Sequence, residues 1–258
     1  MGSGPGSVVV QDHASAFMKS ASAFQRMGDY ESAAENYGKV LMDHPERVDA
    51  LYGRGVCYIE LSKLDMATAD FTKIITLDPK YSAAYFGRGT ALRDKGAIEQ
   101  TILDYGRAID LEPHNAEYLS SRGYAYFYEG NYKQAATDFS RSFGLDSDAY
   151  CAMFRYLARV RASDDRALTE LEDAITHIKE GVWPHAASVL LAGKTTPEKA
   201  IGEASEPDQT AEAHFYVGQW RLIRGEKHEA LSEFKIVIET CPKLFIEYAI
   251  ALKELQSS

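Results

Sequence analysis

The sequence predicts an all-α protein, a solenoid of stacked helical hairpins. Three residue series, each stepping by 34, predict it. Glycine recurs at Gly55, Gly89 and Gly123, an aromatic ring at Tyr37, Phe71, Tyr105 and Phe139, and proline at Pro45, Pro79 and Pro113. A fixed period in this range means supersecondary units stacked on their neighbours, not one globular core. Stacked hairpins present an extended surface, which points to a binding scaffold.

Counted from Ala14, four units follow, over 14–47, 48–81, 82–115 and 116–149. Position 8 is small in all four: Ala21, Gly55, Gly89 and Gly123. Position 20 reads Ala33, Ala67, Thr101 and Ala135, and position 11 reads Phe24, Tyr58, Leu92 and Tyr126. Positions 8 and 20 are where two antiparallel helices approach most closely, so only small side chains fit there. The ring at position 24 and the residue at position 11 fill the space beside that contact. Position 15 (Gly28, Gly96, Gly130, with Ser62 in the second unit) falls in the turn, where glycine supplies the positive φ that a helix end needs. Proline at position 32 punctuates each link, with Ser147 replacing it in the fourth unit.

These residues resemble the tetratricopeptide repeat, whose hairpins coil into a right-handed superhelix. The resemblance covers 14–149 and returns at 211–244, where Gly218, Gly225, Ala230, Phe234 and Pro242 hold the same five positions. Between these blocks, 150–210 loses the pattern but keeps helical periodicity. A first helix is expected over 150–162, with Phe154, Leu157 and Val160 on one side. Ser163-Asp164-Asp165 reads as a turn leading into a helix over 167–179, striped by Leu168, Leu171, Ile175 and Ile178. Gly181-Val182-Trp183-Pro184 breaks the chain, Thr196-Pro197-Glu198 starts a helix, and Ser205-Glu206-Pro207 breaks it again. A terminal helix is expected over 244–255. The layout reads as one superhelical domain over 8–258, closed on itself or plugged by its irregular middle. It resembles the bacterial NlpI type of tetratricopeptide adaptor lipoprotein, which scaffolds envelope enzymes and proteases.

Residues 1–7, MGSGPGS, read as an added leader. The VVVQDHAS that follows does not begin like a native start. A native signal or anchor is therefore expected to be missing, which favours the periplasm or envelope over the cytoplasm. Net charge is −10, with no basic block, so the long-range field would repel phosphate backbones and no nucleic-acid partner is expected. No apolar run approaches the ~20 residues of a membrane span. Cys57, Cys151 and Cys241 form no disulfide or metal pattern, and Cys57 and Cys151 read as small buried hydrophobes.

Two motifs resolve into structure. Arg54, Arg88 and Arg122 at position 7 recur with Asp70, Asp104 and Asp138 at position 23. An anion-binding ladder is one reading, but the matched recurrence favours pairing across each hairpin. Gly193-Lys194-Thr195 mimics the end of a phosphate loop, yet Ser188 stands where that motif needs glycine, so it reads as a loop between helices. The histidines form no ligand set, and His214 is expected to pack in the last repeat. No catalytic, cofactor or metal site is visible, and an enzyme stays open only through groups converging in three dimensions.

In this repeat family the first helix of each hairpin lines the concave side. Positions there give Lys19, Asp49, Tyr52, Val56, Phe86, Thr90, Arg93, Glu117, Tyr124, Phe127 and Tyr128, beside Met18, Ser22 and Ser120. The rings either pack against the chain's own later helices or form an open trough for a peptide or helix. The carboxylate clamp of chaperone-tail binders is absent, because its positions read Met18, Ser22, Gly53, Ala83 and Gly87. The sequence reading is a non-catalytic adaptor for a protein or peptide partner; a self-assembling homo-oligomer is the alternative.

Overall fold

The computed structural model describes residues 13–243 and 245–257. The leader expected over 1–7 lies outside them, as does Leu244, where the last repeat and the terminal helix were joined in the sequence reading. Among the described residues the regular elements are fifteen α-helices and no strand. Packing divides the chain into two compact units, Met1–Pro113 and His114–Ser258.

The first unit holds three hairpins: α1 (His13–Arg26) with α2 (Tyr30–Asp43), α3 (Val48–Glu60) with α4 (Leu64–Leu77), and α5 (Ser82–Asp94) with α6 (Ile98–Leu111). Their close contacts fall at the small positions. A Cβ built on Gly55 would stand 2.9 Å from the Phe71 ring, and one on Gly89 would stand 2.8 Å from Tyr105. Position 6 does the same toward the preceding hairpin, where Gly53 meets Tyr37 at 2.4 Å and Gly87 meets Phe71 at 2.6 Å. Phe71 is thus wedged between Gly55 of its own hairpin and Gly87 of the next, and it is fully buried. Thr101, the exception at position 20, is tolerated because its hydroxyl donates to the Gly89 carbonyl at 3.2 Å.

Each turn closes in the same way. Gly28 and Gly96 take φ of +76° and +78°, and the following amides reach five residues back, Asp29 to Phe24 and Ala97 to Leu92. Ser62 adopts the same left-handed state at φ 56°, with Lys63 N–H donating to Tyr58 O at 2.8 Å. A side chain with a Cβ is strained there. Ser62→Gly is therefore expected to raise stability by about 0.5–1 kcal/mol, after the entropy glycine adds to the unfolded chain. A urea midpoint that fails to rise would show the turn to be unstrained.

The second unit begins with a regular hairpin, α7 (Ala116–Glu129) and α8 (Tyr132–Asp146), with Gly123 against Phe139. A fifth hairpin follows, α9 (Ala149–Arg161) and α10 (Ala167–Ile175). Its turn has the same geometry on Ser163, φ 56°, with Asp164 N–H on Arg159 O at 2.9 Å. Asp164 does not cap α10, whose N-cap is Arg166; its carboxylate takes the Arg166 amide and the Arg159 and Arg166 guanidiniums. The helix expected over 167–179 stops at Ile175, because Thr176 Oγ1 takes the Asp173 carbonyl and the next amides reach back only three residues. Leu168 is 45% exposed and off the stripe, while Leu171 is buried.

Short helices α11 (His185–Leu191) and α12 (Pro197–Gly202) pack on α13 (Pro207–Ile223), building a small core of Ala186, Leu190, Ala200 and Val217 under Trp183 and Trp220. Gly193 ends α11 at φ +72°, so Gly193-Lys194-Thr195 is a helix stop. Thr196 caps α12 through the Lys199 amide, with Pro197 in the first turn. In the last hairpin, α13 and α14 (Lys227–Thr240), a Cβ built on Gly218 would stand 2.5 Å from the Phe234 ring, and α15 (Ile246–Gln256) closes the unit. Cys57, Cys151 and Cys241 are buried free thiols, raised by desolvation to about 11, 12 and 12.

Candidate protein-interaction surface

The arginines of position 7 are not available to ligands. Arg54, Arg88 and Arg122 each make a two-pronged pair with the aspartate 16 residues on, with every N–O distance between 2.7 and 2.9 Å. Asp70, Asp104 and Asp138 are buried, so each guanidinium neutralises a carboxylate taken from water. In the last hairpin Glu233 holds position 23 and meets His214 Nδ1 at 2.7 Å and Arg221 Nε at 3.5 Å. In the fifth, buried Arg155 and Arg159 share Glu170.

The predicted face is that of the first helix in each hairpin. In the first unit α1 touches α3 and α3 touches α5 along it. Tyr52, Val56, Phe86 and Thr90 are half-buried on this face, and Lys19, Asp49 and Arg93 are exposed. The rings have a fixed footing: Tyr52 lies 5.8 Å from Phe71 and 5.9 Å from Tyr81, and Phe86 lies 5.2 Å from Tyr105. Thr90 bonds the Tyr105 hydroxyl at 3.2 Å. Such rings lose little freedom when covered, which favours them as anchors. The charges are set in place too. Arg47 grips Asp49 at 2.8 Å and lowers its pKa, and Arg93 pairs with Asp94 at 2.9 Å. Beside Lys19, a shallow depression of about 260 Å³ is lined by Met18, Ser22 and Arg26.

The four remaining residues of the predicted face lie in the second unit, where Phe127 is buried and Tyr124 and Tyr128 are half-buried against neighbouring helices. Phe127 is 2% exposed, which removes it from any docking surface. Tyr124 stands edge-on to Phe139 at 5.0 Å and to Phe154 at 4.8 Å, and burial pushes its phenol well above 10. Lys253 of α15 caps Tyr128, its Nζ 4.4 Å from the ring centre and bonded to the Tyr128 carbonyl. Glu117 alone of the four is exposed. The fillers here are Phe154 of α9 and the helix α15. The sequence reading missed Glu212, Tyr216 and Gln219, the positions 2, 6 and 9 of the last repeat, although counting from 211 reaches them.

Two family models match the chain, a tetratricopeptide repeat over residues 18–82 and a TPR repeat over 89–130. The chain is a tetratricopeptide repeat protein. Its fold is shared with a tetratricopeptide repeat protein from Parabacteroides merdae, at 19% identity and TM-score 0.67 over 95% of this chain and 98% of that one. MamA from Desulfovibrio magneticus is similar at 17% identity and TM-score 0.58, over 64% of this chain and 94% of its own. A thermophilic tetratricopeptide repeat protein of Thermus thermophilus aligns at 18% identity and TM-score 0.51, over 69% and 99%. At these identities the likeness is one of fold. No curated protein matches the chain significantly. Among the described residues no helix is long and apolar enough to cross a membrane, and no three His, Cys, Asp or Glu side chains are grouped to hold a metal.

Proposed function

We propose that this tetratricopeptide repeat protein is a non-catalytic adaptor that docks a partner's extended or helical segment on the first-helix face of its first unit. The row of half-exposed Tyr52, Val56 and Phe86, flanked by exposed Lys19, Asp49 and Arg93, carries this reading. Covering the rings supplies most of the affinity, and the flanking charges set polarity and register. Tyr124, Phe127 and Tyr128 support the second unit instead. An envelope location is the finer part of the proposal; it rests on the likeness of layout to the NlpI type, and fractionation of the native host tests it.

A photo-crosslinker at Val56 in native extract is expected to trap a second protein. Tyr52→Ala with Phe86→Ala is then expected to weaken that complex about 30-fold or more, the loss of about 2 kcal/mol typical of a ring anchor. Unchanged affinity sinks this docking face. A crosslink only to another copy of the chain replaces the adaptor with self-assembly.

A further inference from the structure

The first-helix face of the last repeat is occupied by the chain itself. Helix α15 lies against α14, α13 and α7, with Ile250 and Ala251 in the core. At its far end Lys253 holds Tyr128, and Glu254 meets Arg161 at 2.5 Å, a guanidinium that also bonds Gln219 at 2.7 Å. At its near end the contact is acidic. Glu212 on α13 is buried, and its carboxyl group accepts from Tyr150 Oη at 2.9 Å and Trp183 Nε1 at 2.6 Å. Glu247 on α15 is 5% exposed; its carboxylate is met by its own backbone amide and, at a long 3.4 Å, by the Tyr216 hydroxyl. The titratable groups around it are Glu212 and Tyr216 on α13, Tyr124 on α7, Tyr150 on α9, and Cys241 before α15. None of these is a cation.

We propose that α15 is a proton-controlled latch: protonated Glu247 holds it over Tyr216 and Gln219, and ionised Glu247 releases it and opens that face to another helix. The sign follows from burial first and from Glu212 second, which together raise Glu247 from 4.5 to about 7. The docked helix therefore holds the proton more tightly than the released one. Docking is strongest below about 4.5, weakens as pH rises toward 7, and levels off above it. Only the purpose of the latch rests on the docking reading of the repeat faces, because its motion is measured without a partner.

Hydrogen exchange on the full chain, corrected for intrinsic amide rates, tests it. Between pH 5.5 and 8 the opening of α15 amides is expected to increase about 25-fold, from the linkage between those two pKa values. Amides of α8 and α14 are expected to hold their protection. In Glu247→Gln the pH dependence of α15 is expected to vanish. An equal pH response in wild type and variant overturns the assignment to Glu247. In wild type alone, a flat response overturns the latch, and so does uniform loss of protection across the second unit. Each of these outcomes leaves the docking face of the first unit standing.

Discussion

Phe154→Ala is expected to cost about 4 kcal/mol, within the range for truncating a fully buried ring, and to cost it in the second unit. The residue comes from the stretch where the repeat pattern fails, yet it sits at the middle of the aromatic core. Its ring centre lies 4.8 Å from Tyr124, 5.4 Å from Phe127, 5.8 Å from Phe139 and 6.0 Å from Phe215, and it is fully buried. Those rings belong to α7, α8 and α13, so one side chain of α9 joins three helices. Removing it leaves a cavity that helices fixed by their own turns cannot close, and edge-to-face contacts are lost besides. Urea unfolding followed at the second unit checks this; a cost under about 1 kcal/mol would mean the rings repack around the hole. Tyr124→Ala is expected to act in the same direction, as a core lesion and not a docking lesion.

Arg122→Ala is expected to cost about 3 kcal/mol, the low end for breaking a buried pair, because Arg122 keeps 18% of its side chain exposed. The loss is not that of an attraction alone. Asp138 has 3% of its side chain exposed, so truncation strands a carboxylate that water scarcely reaches. The guanidinium also lies 5.6 Å over the Tyr126 ring, and that cover is lost. The double change Arg122→Met with Asp138→Leu separates the two causes. Removing both charges while keeping volume is expected to restore most of the stability. Thermal or urea unfolding of single and double variants decides it. If the double variant is as damaged as the single, packing and not the stranded charge is the source.

Much of this was legible because it is local. The ring at position 24, the small residues at 8 and 20, the turn at 15 and the Arg–Asp pairs all lie within one 34-residue period, and the structure realises each. Ser62 shows that position carries the signal more than residue type, since it takes glycine's conformation. The fifth hairpin was harder to read, because its turn falls on Ser163 with no glycine to mark it. The stretch Cys151 to Arg159 is buried on every side, so no stripe distinguishes an inner face. The predicted trough divides for a related reason. Val56 and Tyr124 hold equivalent places in their repeats, but Tyr124 meets Phe154 of the next hairpin, and no spacing rule announces a helix arriving from the side. Glu247, like Glu212 and Tyr216, was invisible because every group around it except Cys241 lies on another helix.

The close approach of a ring to a glycine of the next hairpin also governs how such a chain can change length. Tyr37 reaches Gly53 and Phe71 reaches Gly87, in each case 16 residues on. Excising 48–81 would leave Tyr37 facing Gly87 across an intact seam, since 34 residues separate Gly53 from Gly87. A cut one residue shorter or longer would bring Phe86 or Arg88 against the ring. This seam therefore tolerates the loss of one whole repeat and refuses a slip of one residue, whereas excising 82–115 would set Ser121 against Phe71.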